Sequence, residues 1–193
     1  MGKTRTLAGT VSNGGPLEDG AIGISDVTGL QTALDNAGLK SGTAIATNGQ
    51  ASYEFTGIPA SARNIKLLFS LVSANGLSTG AIQVQLGTSG GYATSGYSGN
   101  IHSLDGSALS SSGTLSSAFL AIVTNSDAYE YNGVIELTEI GSNVWIEAGQ
   151  ISASTSRSNI STGRVALAGE LTSIKVFMGV GTFDGGAINI VYS

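Results

Sequence analysis

Cysteine does not occur in this chain, and charge is scarce: Lys, Arg, Asp and Glu together make up 11% of its 193 residues, against about a quarter in an average globular protein. Without cysteine there is no disulfide and no thiolate metal site. A single histidine leaves zinc, which takes several His or Cys ligands, without a donor set. Eight basic residues against thirteen acidic ones give a formal net charge of −5. The basic residues are scattered, so no stripe exists to displace the counterions of a nucleic acid. No apolar run reaches the eighteen or so residues that a membrane-spanning helix needs. The opening MGKTRTLAGTVSNGG is basic but leads into no apolar stretch, unlike a secretory signal. The simplest expectation is synthesis and assembly in a cytoplasm.

Glycine is abundant instead, at 29 residues, about twice its usual share. Disorder does not account for this, because 41% of the residues are hydrophobic and the mean hydropathy is positive, whereas disordered chains are apolar-poor and charge-rich. Short apolar strands joined by small-residue turns give such figures. A surface this low in charge also points to burial between subunits.

Three segments follow from the punctuation. Residues 1–24 read as an extended arm, since Gly9, Gly14, Gly15, Gly20 and Gly23 break every periodic pattern and Pro16 forbids a regular helix. Residues 25–41 read as a short helix and linker: Ser25 or Asp26 caps SDVTGLQTALDNAG and Gly38 ends it. Val27, Leu30, Leu34 and Ala37 fall on an a/d seam two heptads long. That seam is a trimerisation element or, alternatively, the face of a helix packed on its own domain. So short a helix is marginal alone and needs neighbours.

From residue 42 the period becomes two. Tyr53 and Phe55, then Ile65, Leu67, Phe69 and Leu71, then Ile82, Val84 and Leu86 each mark one face of a strand. Val144 and Ile146, then Ile174, Val176 and Met178, then Ile188, Ile190 and Tyr192 continue the series. No helical pattern lies between them, which argues against a parallel α/β sheet. The expected class is all-β, an antiparallel jelly-roll-like β-sandwich over 42–193. Residues 87–117 and 152–163, rich in Gly, Ser and Thr, read as long loops.

Several segments resemble bacteriophage virion proteins. ISDVTGLQTALD is similar to the linker helices of tail fibres. FTGIPASARNIKLLFSLVSANGLSTGAIQVQLGTSGGYATSGY resembles the start of small β-sandwich domains in cyanophage and other podovirus fibre and decoration proteins. LTSIKVFMGVGTFDGGAINIVYS resembles their closing strand pair, with Phe183-Asp184-Gly185-Gly186 as the turn. The resemblance implies a homotrimer on the virion surface, bound to other phage virion proteins such as capsid, tail hub or fibre platform. Lys3, Arg5 and Leu7 of the arm are the virion-anchoring candidates. Only about forty residues precede the distal domain, where long fibres carry a shaft of hundreds. A short fibre or capsid decoration protein is therefore favoured, with a receptor-binding tip that recognises a host surface glycan as the alternative.

Chemistry has few carriers. His102 sits in a loop-like stretch with no triad partner in view. Glu130, Glu136, Glu139, Glu147 and Asp184 are glycosidase candidates by residue type, yet they stand at positions where solvated carboxylates are ordinary. Calcium has no dense carboxylate cluster to hold it, and no phosphate-binding loop occurs. The expectation is no catalytic residue, no metal and no cofactor. Tyr92, Tyr97, Tyr129 and Tyr131 offer flat apolar area with a hydroxyl, suited to sugar stacking or to packing. Trp145 alternates with Val144 and Ile146, as a sheet-packing or inter-subunit residue would. Deleting residues 1–24 should leave the thermal transition of the sandwich nearly unchanged and abolish incorporation into particles. Normal occupancy by the truncated protein would show that the arm is not the anchor.

Overall fold

Alternation of apolar and polar side chains turns residues 39–193 into strands joined by turns rich in glycine. The structure, a computed structural model, describes residues 38–77, 80–106, 108–114, 116–123, 126–153 and 157–193. Every strand named below belongs to the unit formed by residues 39–193. The arm expected over 1–24, with Lys3, Arg5 and Leu7, lies outside the described residues, as does the seam at Val27, Leu30, Leu34 and Ala37. No helix occurs among the described residues.

The strands are β1 (Lys40–Ser41), β2 (Ile45–Ala46), β3 (Ser52–Thr56), β4 (Asn64–Asn75), β5 (Ala81–Thr88), β6 (Gly91–Tyr92) and β7 (Ser98–Asp105). They continue as β8 (Ala108–Gly113), β9 (Phe119–Val123), β10 (Tyr131–Glu139), β11 (Val144–Ala153), β12 (Arg157–Ala166), β13 (Ser173–Met178) and β14 (Thr182–Tyr192). Every pairing among them is antiparallel. One sheet has nine strands in the order β1-β14-β4-β10-β11-β12-β7-β8, with β2 also on β14. The other has five, β3-β13-β5-β6, with β9 also on β5. Ile65, Leu67, Ile135, Ile188 and Ile190 of the first sheet share one core with Phe55, Ile82, Val84, Ile174 and Val176 of the second.

Two departures from strict alternation have local causes. Leu71, expected inside with Ile65, Leu67 and Phe69, is exposed. Its φ is +52°, and opposite it β14 shifts register between Phe183 and Ala187. This irregularity inverts the phase, so that Val72 and Ala74 enter the core. Gly186 faces it at φ +87°, where any Cβ would collide with the backbone of Leu71 and Val72. The same irregularity makes Phe183-Asp184-Gly185-Gly186 part of β14 and not the expected turn. In β11 the buried face is the one opposite to that expected: Trp145, Glu147, Gly149, Ile151 and Ala153 point inward, leaving Ile146 outside.

The stretches 87–117 and 152–163, expected as loops, contribute β6, β7, β8 and much of β12. Their Ser, Thr, Asn and Gly residues form strands because neighbours supply the ladders: β12 pairs with β11 from Arg157 to Ala166 and with β7 from Arg157 to Arg164. Trp145 is fully enclosed in the core, while its indole nitrogen has no hydrogen-bond partner among the described residues. Its contribution is therefore packing. Trp145→Ala should cost about 3–5 kcal/mol in urea unfolding, and Trp145→Phe distinctly less. Equal losses from the two would refute the packing account.

Candidate functional site

The four candidate tyrosines differ in burial: Tyr97 and Tyr131 are enclosed, Tyr92 and Tyr129 half-buried. Tyr97 is 4% exposed, set edge-on against Phe119 with ring centres 4.8 Å apart. The amide of Leu86 donates to its hydroxyl at 2.8 Å. Burial pushes this phenol up to about 12, against the lowering effect of that hydrogen bond. Tyr131 is fully buried. Both are core residues, so neither offers a face to a glycan, which corrects that expectation for these two.

Tyr92 and Tyr129 are half-buried. The Tyr92 ring lies over Gly87, where an added Cβ would stand 2.9 Å from it. Lys175 Nζ is 4.5 Å from the Tyr92 ring centre and 4.9 Å from that of Phe177. Burial raises the Tyr92 phenol, with Ser173 opposing and Glu54 adding to the shift. A glycine and an ammonium already occupy the ring. Tyr129 meets Tyr131 edge-on at 6.4 Å and lies 5.7 Å beneath the Arg157 guanidinium, which pairs with Asp105 at 2.5 Å. The structure does not bring the four rings together as one platform.

Most of the candidate carboxylates have surface partners. Lys66 donates to Glu136 at 2.7 Å. Arg63 pairs with Glu139 at 2.6 Å, and the amide of Asn143 donates to Glu139 at 3.0 Å. The Ser73 hydroxyl donates to Asp184, and Glu130 is exposed. His102 is half-buried on β7. Among the described residues no three or more of His, Asp and Glu stand together as a metal site would require.

Expected solvation is corrected at two of them, at Glu139, whose side chain is 6% exposed beneath Arg63, and more fully at Glu147. It is 1% exposed on the inner face of β11. β9, the strand that pairs with β5 in the five-stranded sheet, lies against β7, β11 and β12 here as the cover. The Ser161 hydroxyl donates to Glu147 Oε1 at 2.5 Å. Two glycines make the space. A Cβ at Gly149 would come within 2.9 Å of that oxygen, and one at Gly163 within 2.6 Å of the Phe119 ring. Beside the carboxyl is a cavity of about 10 Å³ lined by Gly99, Gly113, Phe119, Leu120 and Thr162, room for roughly one water.

Ser103, Asn159 and Ser161 extend this polar patch, all three buried. The amide of Val123 in β9 donates to Asn159 Oδ1 at 3.2 Å, tying the cover to the sheet. Burial pushes the Glu147 carboxyl up to about 7, only partly offset by the Ser161 hydrogen bond. The sequence held a signal for this: Trp145 and Ile151 are an even number of positions apart, and Glu147 is in phase with both.

A carboxyl whose folded-state pKa is raised favours the fold in its protonated form. Its contribution is intact below the unfolded value of 4.5 and is lost as pH rises through about 7. Stability should therefore fall by roughly 3 kcal/mol between those limits. Glu147→Gln should flatten this slope in urea titrations at several pH values and exceed the wild type above pH 7. Parallel curves for the two proteins would refute it. Compared with protein-family models, with curated proteins and with solved structures, the chain matches none of them.

Proposed function

We propose that this chain is a bacteriophage virion structural protein, a short trimeric fibre or capsid decoration protein, anchored by its N-terminal arm and projecting a jelly-roll β-sandwich. The observation that carries the reading is the strand order. β1 and β2 both pair with β14 and count as one interrupted strand. Setting aside β6–β8 and β11–β12 leaves eight strands, four to a sheet. Numbered along the chain, they run first-eighth-third-sixth in one sheet and second-seventh-fourth-fifth in the other. This order supports a jelly roll, the eight-stranded double Greek key common in capsid proteins. The additions widen the first sheet by β11, β12, β7 and β8 and set the two-residue β6 on the second, without disturbing the frame, as suits a domain that presents surface.

The arm, the helix seam at Val27, Leu30, Leu34 and Ala37, and the fibre-like segments complete the reading from the sequence side. Sites of attachment are other virion proteins, with Lys3, Arg5 and Leu7 leading. The role involves no catalytic step, metal or cofactor. A glycan-recognising tip is the weaker reading, because Tyr97 and Tyr131 are enclosed and the Tyr92 ring is already stacked.

Antibody against the purified protein should label intact particles at regular positions in negative stain. Unlabelled particles, from infected cells in which the protein is detected, would remove the virion assignment.

A further inference from the structure

We infer that the seam between β9 and the inner face of β11, β12 and β7 is a joint operated by Glu147: its ionisation parts the seam and admits water while the rest of the sandwich stays closed. Backbone pairing stops at this seam. The ladder is continuous from β10 through β11 and β12 to β7. Among the described strands β9 pairs with β5 alone, over four residue pairs broken by a register shift. What crosses to the other sheet is packing and the 3.2 Å bond from the Val123 amide to Asn159 Oδ1. The amide nitrogen of Asn159, buried there too, has no partner among the described residues. The small cavity beside Glu147 reaches Phe119 and Leu120 of β9. Water that enters the seam therefore finds both a carboxyl and an open donor.

An ionised carboxylate away from water needs several donors or a counter-charge. Glu147 has one donor, the Ser161 hydroxyl, and among the described residues no cation faces it. β8 and β9 carry no titratable side chain. On β7, β10 and β12, His102, Glu136 and Arg164 occupy positions of the opposite face. Asp105 and Arg157 pair with each other at the far end of β7 and β12, level with the enclosed Tyr131. Glu139, at the other end of β10, is held by Arg63. Hydration is the relief that remains to a charged Glu147, and a contact without a ladder yields before paired strands do. In the parted joint the carboxyl has its ordinary value of 4.5, and in the closed one about 7. Parting should therefore grow about tenfold per pH unit between the two values and level off above them.

Because the chain has no cysteine, Ala118→Cys and Ala74→Cys each give one reporter thiol. Ala118 lines the cavity, Ala74 lies in the main core, and both are buried. Alkylation is followed from about pH 5 to 8, each rate divided by that of the same variant in denaturant at the same pH. The Ala118→Cys ratio should rise at least tenfold between about pH 5 and 7 and change little above. At neutral pH it should exceed the Ala74→Cys ratio at least tenfold, since Ala74 is reached only by unfolding the domain. Adding Glu147→Gln to Ala118→Cys should abolish the rise. Equal ratios at the two thiols overturn the joint, because whole-domain unfolding then explains both. A flat Ala118→Cys ratio, or a rise that survives Glu147→Gln, overturns it as well. Hydrogen exchange of the unaltered chain repeats the test without a substitution: the Val123 amide should be at least tenfold less protected at neutral pH than that of Leu67, which has strands on both sides. Equal protection of the two overturns the joint.

Discussion

A sheet must cover one of its faces, and here nine strands are set against five. Most of the structure depends on this inequality. Where β14, β4 and β10 lie over β13 and β5, the interior is aliphatic and dense with Ile, Leu and Val. Beyond β10 that cover ends. The inner face of β11, β12 and β7 relies on the short β9, and there Glu147, Ser161, Asn159 and Ser103 stand among Trp145, Ile151, Val165 and Ile101. Dispersion and water exclusion hold the first region; in the second, hydrogen bonds among the polar groups are added to the packing of Trp145, Ile151 and Val165. Polar groups without bulk solvent need partners of their own, which is why the Asn159 amide group reaches β9 and Ser161 reaches Glu147. The glycines at 149 and 163 belong to the same adjustment, leaving room for a carboxyl and a ring.

Scarcity of charge has a different result on the outside. Ion pairs on exposed strands contribute little to stability, typically about 1 kcal/mol or less, so the fold loses little by replacing them with Thr, Ser, Asn and Gln. What changes is adhesion. A broad face with few charges carries little electrostatic penalty against close approach, and contiguous exposed apolar surface tends to associate. In a chain of this composition, selective contact must come from shape and from a few branched apolar residues.

The all-β class was legible because Ile65, Leu67, Phe69, Ile82, Val84, Leu86, Ile174 and Val176 keep an unbroken period of two. Legibility failed where that period is borrowed or interrupted. Residues 98–113 and 157–163 have little apolar pattern of their own; they are strands because adjacent strands offer a ladder, a long-range fact that no local window contains. Leu71 was misplaced because a bulge is set by two strands at once, through Gly186 on the far one. Glu147 was misread because a carboxylate on a strand is ordinarily solvated, and its burial depends on the widths of two sheets. Among the tyrosines, residue type showed the capacity for stacking, while burial decided which rings remain accessible.

β14 has neighbours on both sides, β4 on one and β1 with β2 on the other. Ile65 pairs with Tyr192, near opposite ends of the described chain. A nascent polypeptide emerging from the ribosome therefore holds β4, a long aliphatic strand, with one side unpaired until almost all of the domain has been made. Hairpins such as β10–β11 and β11–β12 can form early, since their partners are adjacent in sequence; the sheet's centre cannot. Translation thus imposes a waiting period during which β4 is open to chaperones or to another nascent chain on the same polysome.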